Sequence, residues 1–222
     1  MRFGTILVQP NVGTFFNTTF QNYSAGPQFQ VTPLDTVNIN YQGSRSNYDR
    51  PGSGTSSFKT NGGTLALSHT FTPTLTATAS GGLTVLDAGT KPILTYIADA
   101  SVQWKHEHGG VQLRYSRSIL PSFFIVAVPL LSQVVTVSGT YAISGSLSAT
   151  GSANYAKNES SSGQIPLSFE SYSASLSLNY TITRSISTIA SYTHSKFNQS
   201  FTGVETSFNR NVATLSLRGE WN

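Results

Sequence analysis

The sequence predicts an all-β fold: a transmembrane antiparallel up-and-down β-barrel of about 12 strands, standing alone or forming the C-terminal part of a larger barrel. Three observations predict it. Polar and apolar residues alternate strictly over long segments, composition is rich in hydroxyls and poor in charge, and short turns alternate with long polar loops along the whole chain. The 222 residues are read as a single domain, 1–222.

Alternation is clearest from Ser171 to Ile182, where Ser171, Ser173, Ser175, Ser177, Asn179 and Thr181 interleave with Tyr172, Ala174, Leu176, Leu178, Tyr180 and Ile182. A period of two gives a strand one wet and one greasy face. Leu94, Tyr96, Ala98, Ala100, Val102 and Trp104 repeat the pattern, with Ile97 the exception on the polar side. So do Val135, Val137, Gly139, Tyr141 and Ile143, and the final Ala213, Leu215, Leu217, Gly219 and Trp221. No segment shows a helical period.

Strands are expected near 4–16, 20–32, 36–47, 61–72, 74–86, 93–107, 110–119, 130–143, 146–157, 168–182, 186–197 and 207–221. Tight turns fall at Thr32–Asp35, Thr72–Thr74, His108–Gly110, Ser144–Ser146 and Thr183–Ser185. Looser polar segments, Gly43–Asn61, Lys157–Gln164 and Asn198–Thr206, read as loops at the opposite end. Soluble strands average ~5–6 residues, whereas a tilted membrane-spanning strand needs about 9–11. The even count and the one-sided short turns place both termini in the periplasm, with the barrel in a bacterial outer membrane.

Composition narrows the class. Charged residues make up 10% of the chain, against about a quarter in ordinary soluble domains. The 33 Ser and 27 Thr fill the gap. Disorder is excluded because 13 Phe, 10 Tyr and 2 Trp accompany a net charge of only +4. The absence of Cys excludes disulfide scaffolds, zinc-cysteine sites and thiol nucleophiles, and suits an oxidising envelope compartment. No apolar run reaches the ~20 residues of a membrane helix. Met1-Arg2-Phe3 does not open a signal peptide, so a leader already removed, or a longer parent chain, is expected. Nucleic acid is excluded as a partner, since the basic residues form no stripe.

In lipid every backbone N–H and C=O must be paired, which a closed sheet achieves without edges. Apolar side chains then face lipid, and Ser and Thr face a polar lumen. Charged residues expected to line that lumen are Asp99, Lys105, Arg114, Arg218 and Glu220, a mildly cationic set that serves as wall-bracing ion pairs or confers anion preference. Phe71, Trp104, Tyr180 and Trp221 fall on the apolar face near short turns, as an aromatic girdle requires.

Segment Ile119–Leu131 is anomalous, being apolar where a polar outer loop belongs. Either it extends two strands across a bent hairpin, or it is a lid or contact surface formed by Ile119, Leu120, Phe123, Phe124, Ile125, Val126, Val128, Leu130 and Leu131. His106 and His108 form a His-x-His pair, but Glu107 points the other way, so neither a metal nor another cofactor is expected. His69 lies on the greasy face of Leu65, Leu67 and Phe71. It would suit a hydrolase on the outer wall, yet no accompanying motif is present and no catalytic residue or enzymatic activity is expected. Gly62-Gly63 and Gly81-Gly82 relieve crowding or form bulges.

The segments QFQVTPLDTVNINYQGSRSNYDRPG, LSHTFTPTLTATASGG and LNYTITRSISTIASYTHSKFNQ each run strand, Thr-Pro or Thr-Arg turn, then strand. In these the chain resembles the β-barrel porins associated with exopolysaccharide loci. Its VATLSLRGEWN end is similar to the terminal strand read by the barrel-assembly machinery, although Asn222 follows Trp221. The resemblance implies the barrel fold, and the hydroxyl and amide groups of its inner wall point to a passive or partner-gated channel for small polar solutes or saccharides. The alternatives are a structural barrel anchoring or scaffolding an envelope complex, and a soluble or fibrous adhesin. Expected partners are outer-membrane lipid, the assembly machinery, and other envelope proteins or polysaccharide.

Overall fold

The computed structural model describes residues 4–5, 17–50, 54–89, 91–121, 129–161, 167–201 and 203–219. Thirteen strands run in chain order: β1 (Gly4–Thr5), β2 (Asn17–Ala25), β3 (Gln28–Gln30), β4 (Asp35–Arg50), β5 (Gly54–Thr72), β6 (Leu75–Asp87), β7 (Ile93–His106), β8 (Gly109–Pro121), β9 (Pro129–Ala142), β10 (Leu147–Ser160), β11 (Leu167–Thr183), β12 (Ile186–Phe201) and β13 (Val204–Gly219). Each pairs antiparallel with its neighbour in sequence, except that β2 and β3 lie end to end beside β4. The sheet is therefore 12 strands wide, all antiparallel and up-and-down. Among the described residues there is no helix, and β13 pairs with β12 alone, so the circuit between β1 and β13 is not closed within them.

Three expected boundaries shift for physical reasons. The strand placed at 20–32 is interrupted between Ala25 and Gln28, because Pro27 has no N–H to give to the ladder. Its carbonyl still accepts the Ile39 N–H at 3.1 Å. The loop expected over Gly43–Asn61 is mostly strand, with β4 and β5 zipped to the pair Arg50↔Gly54. Its Ser, Asn and Gly residues are loop-like in composition but leave every backbone bond to the hairpin ladder. Likewise β10 continues to Ser160 and β12 to Phe201. Only Gly4 and Thr5 of the strand placed at 4–16 are described.

Cross-strand partners share a face, so the register sorts the side chains into two sets. One row joins Thr36, Ser68, Thr78, Ser101 and Arg114, then continues through Thr136, Asn154, Ser173 and Ser195 to Arg210. The opposite face carries Leu65, Leu113, Val137, Leu176, Leu215 and similar residues. This greasy face is the more exposed one: Leu176 is 53%, Leu217 74% and Leu215 78% accessible, while Ser173, Ser175 and Ser177 are half-buried. That inverts the soluble rule that apolar surface goes inside.

Gly62 and Gly82 belong to the hydroxyl face, opposite Thr84 and Thr64. A Cβ would lie 2.4 Å from the Leu83 carbonyl oxygen at Gly62 and 2.0 Å from that of Gly63 at Gly82. These glycines let the strands bend inward by close approach. No bulge is needed there: the β5–β6 register shifts only at Thr70/Thr72, beside the turn.

Candidate functional site

The inner wall is built from every second residue of each strand, in the phase that the register carries from one strand to the next, and its side chains bond across the ladders. Ser44 Oγ meets Thr60 Oγ1 at 2.7 Å, Ser152 Oγ meets Ser175 Oγ at 2.7 Å, and Thr78 donates to Ser68 at 3.1 Å. The result is a neutral lattice of hydroxyls with amides among them. Between β2 and β8 it encloses a cavity of about 640 Å³ whose wall includes Asn22, Gln42, Thr60, Ser80, Asp99 and Arg114.

Arg114 reaches the same Asp99 oxygen with Nε at 2.9 Å and with Nη2 at 2.7 Å. The strand phase puts Lys105, opposite Gly110, and Arg218, opposite Ser187, on this face too. Arg210, opposite Ser195, joins them and escaped the sequence reading. Glu220 and Trp221 lie outside the described residues. Phe71, Trp104 and Tyr180 stand on the greasy face toward the tight turns, each roughly half exposed. Tyr23, Tyr41, Tyr96 and Tyr172 occupy the same face toward the long hairpins. Tyr96 to Trp104 and Tyr172 to Tyr180 each span eight residues, about 27 Å along a strand.

The buried apolar residues all gather at the long-hairpin end. Phe58 and Leu86, 3% and 1% accessible, pack with Ala88 and Ile119. Leu130 and Leu167, 3% and 4% accessible, pack with Phe169. Ile97, the break in the alternation, is buried opposite Gly82. These residues form an apolar collar inside an otherwise hydroxylated wall. Of the candidate lid, Ile119 and Leu120 belong to β8, Leu130 and Leu131 belong to β9, and they pair as Ile119↔Leu131 and Leu120↔Leu130. They are strand extensions, because the ladder satisfies their backbone up to Pro121↔Pro129. Phe123, Phe124, Ile125, Val126 and Val128 lie outside the described residues.

Register also creates a pair that sequence could not foresee. Asp35 stands opposite His69 on the greasy face, with Nδ1 and Oδ1 2.6 Å apart. Thr32 donates its hydroxyl to the other carboxylate oxygen at 2.5 Å, and the His69 ring meets Phe71 edge-on at 4.4 Å. His106 and His108, 6.0 Å apart between ring centroids, extend an aromatic row that starts at Trp104 and ends at Tyr141. Among the described residues no group of three metal-ligating side chains converges. His194 bonds Asn211 at 2.7 Å.

The family model of Putative beta-barrel porin 2 matches residues 83–220. The chain belongs to this family. Two solved structures share the architecture at low similarity. LpxR from Salmonella typhimurium is 12% identical with a TM-score of 0.36, the match covering 93% of this chain and 90% of LpxR. The copper transporter OprC is 12% identical with a TM-score of 0.42, the match covering 94% of this chain but only 43% of OprC. No curated protein matches in sequence. As a member of the family, the chain is an outer-membrane β-barrel. One expectation is corrected: the absence of enzymatic activity expected from the sequence is not retained, because a β-barrel fold by itself does not decide whether its wall carries catalytic residues.

Proposed function

We propose that this chain forms a pore for small, polar, uncharged solutes, saccharides among them. The hydroxyl lattice of the inner wall carries the proposal. Neutral donors and acceptors can replace a solute's water shell without binding it as tightly as a charge would. The Asp99–Arg114 pair neutralises itself, so Lys105 and Arg210 leave only a mild cationic bias. The aromatic rows at both ends of the greasy face would seat the barrel at the two interfaces, with the tight turns and both termini in the periplasm. The apolar collar would narrow the opposite mouth, where an apolar constriction impedes water and ions.

The experiment is conductance of purified protein in planar bilayers. Discrete steps with weak anion preference are expected. That preference should fade as salt shortens the screening length from about 10 Å at 0.1 M to about 3 Å at 1 M. Leu86→Ser should raise the step size by opening the collar. A correctly folded barrel that stays silent with both sequences would overturn the pore. The collar then favours a second reading, a barrel with a filled mouth that anchors an envelope complex.

A further inference from the structure

The outer wall carries a cationic pair that makes no direct ion-pair contact among the described residues. Arg45 and Lys59 are directly opposite each other in the β4–β5 ladder, both exposed. Like charges in that position repel and destabilise a sheet. Neither makes an ion pair among the described residues. Arg45 Nε is held toward Asn47 Oδ1 at 3.2 Å. Asp87 is opposite Lys59, yet its carboxylate accepts the Gly89 N–H at 3.1 Å. Elsewhere on this wall Lys157 binds Glu159 at 2.8 Å, and Arg117 stacks 3.8 Å from the Tyr96 centroid.

Depth on the wall says what could compensate the pair. Along one face of β4 come Ile39, Tyr41, Gly43 and Arg45 in that order. The Tyr23 ring lies over Gly43, where a Cβ would meet it at 2.4 Å. Tyr23 and Tyr41, 6.2 Å apart, both give their hydroxyls to Asn61 Oδ1. Passing outward, the wall runs from aliphatic to a pair of tyrosines, tilted 37° to each other, to two cations. A phospholipid presents the same sequence from its acyl chains to its phosphate.

We propose that Arg45 and Lys59 bind the phosphate of an anionic membrane lipid on the outside of the barrel, with Tyr23 and Tyr41 against the part of the lipid between its phosphate and its chains. Each cation near an anionic headgroup gives an appreciable attraction, so preference for an anionic over a zwitterionic lipid should be tenfold or more at low salt.

The test is lipid retention by the folded barrel in a non-ionic detergent, read by native mass spectrometry during titration with phosphatidylglycerol and with phosphatidylcholine. One phosphatidylglycerol should be held about tenfold more tightly than phosphatidylcholine. The double variant R45Q/K59Q should bring the ratio to within about twofold, and K157Q should leave it unchanged. Should the double variant fail to fold, K59Q and R45Q singly should each reduce the ratio about threefold. A preference that survives R45Q and K59Q overturns the proposal. So does displacement of the lipid by millimolar inorganic phosphate, which would mark a site for free anions.

Discussion

Leu176→Arg and Ser177→Arg are adjacent substitutions with opposite expected outcomes. Leu176 lies four residues from both Tyr172 and Tyr180, about 13 Å along the strand from either aromatic. It stands opposite Gly151 and Tyr192 on the greasy face and is 53% accessible. If that face meets hydrocarbon, Leu176 is near the bilayer midplane. An arginine there should cost about 2–4 kcal/mol, a factor of roughly 30–700 in the folding equilibrium. If it met water, a half-exposed leucine would accept arginine within about 0.5 kcal/mol. Ser177 stands opposite Thr150 and Ser191 on the hydroxyl face, where arginine remains hydrated and should change conductance instead. Urea titration of both variants refolded in lipid vesicles, with heat-modifiable migration as the check on folding, measures the difference. Equal stability of the two would refute the assignment of faces.

Gly82→Ala should destabilise by about 1–3 kcal/mol, because its Cβ must displace a neighbouring strand's backbone. Gly81→Ala, with nothing within 4 Å, should change stability by no more than about 0.5 kcal/mol; equal urea midpoints for the two would contradict the close approach. At the Thr32–Asp35 turn, the Asp35 carboxylate accepts the Thr32 hydroxyl and faces His69. Asp35→Ala should remove both contacts, so hydrogen-exchange protection of the Val31 amide, which donates to the Asp35 carbonyl at 3.0 Å, should fall; unchanged protection in the variant would show that these side-chain bonds do not hold the turn.

Period two was readable because each strand buries only one kind of face. Twelve strands, their antiparallel order and the tight turns all follow from where the alternation starts and stops. Composition misled at Gly43–Asn61, since Ser, Asn and Gly mark loops in soluble proteins yet extend this hairpin to Arg50↔Gly54. Phe58 was hidden by that reading, and with it half of the collar. Gly26-Pro27 was a visible break signal that lost to the surrounding alternation. The Asp35–His69 contact could not be read at all: it spans 34 residues and depends on the register set by the hairpin that joins β4 to β5. Arg210 was legible in principle, being in phase with Arg218 four turns of alternation away. The polar composition of Asn198–Thr206 reads as loop, whereas β12 runs to Phe201 and β13 starts at Val204.

The scarcity of charge and the abundance of hydroxyls have one physical origin. A closed wall exposes its inner side chains to confined water and to each other across a short distance. A row of like charges there would repel, and a row of paired charges would lock itself into ion pairs, as Asp99 and Arg114 do. Hydroxyls avoid both outcomes because each can donate or accept and can turn its proton to suit. Ser152 with Ser175 and Ser44 with Thr60 illustrate this, since either partner can be the donor. Such a wall remains satisfied when a solute replaces one of these bonds, and its β-compatible side chains keep the strand geometry intact. The residues that hold the barrel wall together are thus the same ones that make it a suitable surface for polar solutes. The buried aliphatic bulk on that surface is concentrated in the two clusters of the collar, Phe58 with Leu86 and Leu130 with Leu167. The wall is therefore chemically uneven along its axis, with its buried apolar residues set among buried Ser46, Ser132 and Asn158 toward the long hairpins.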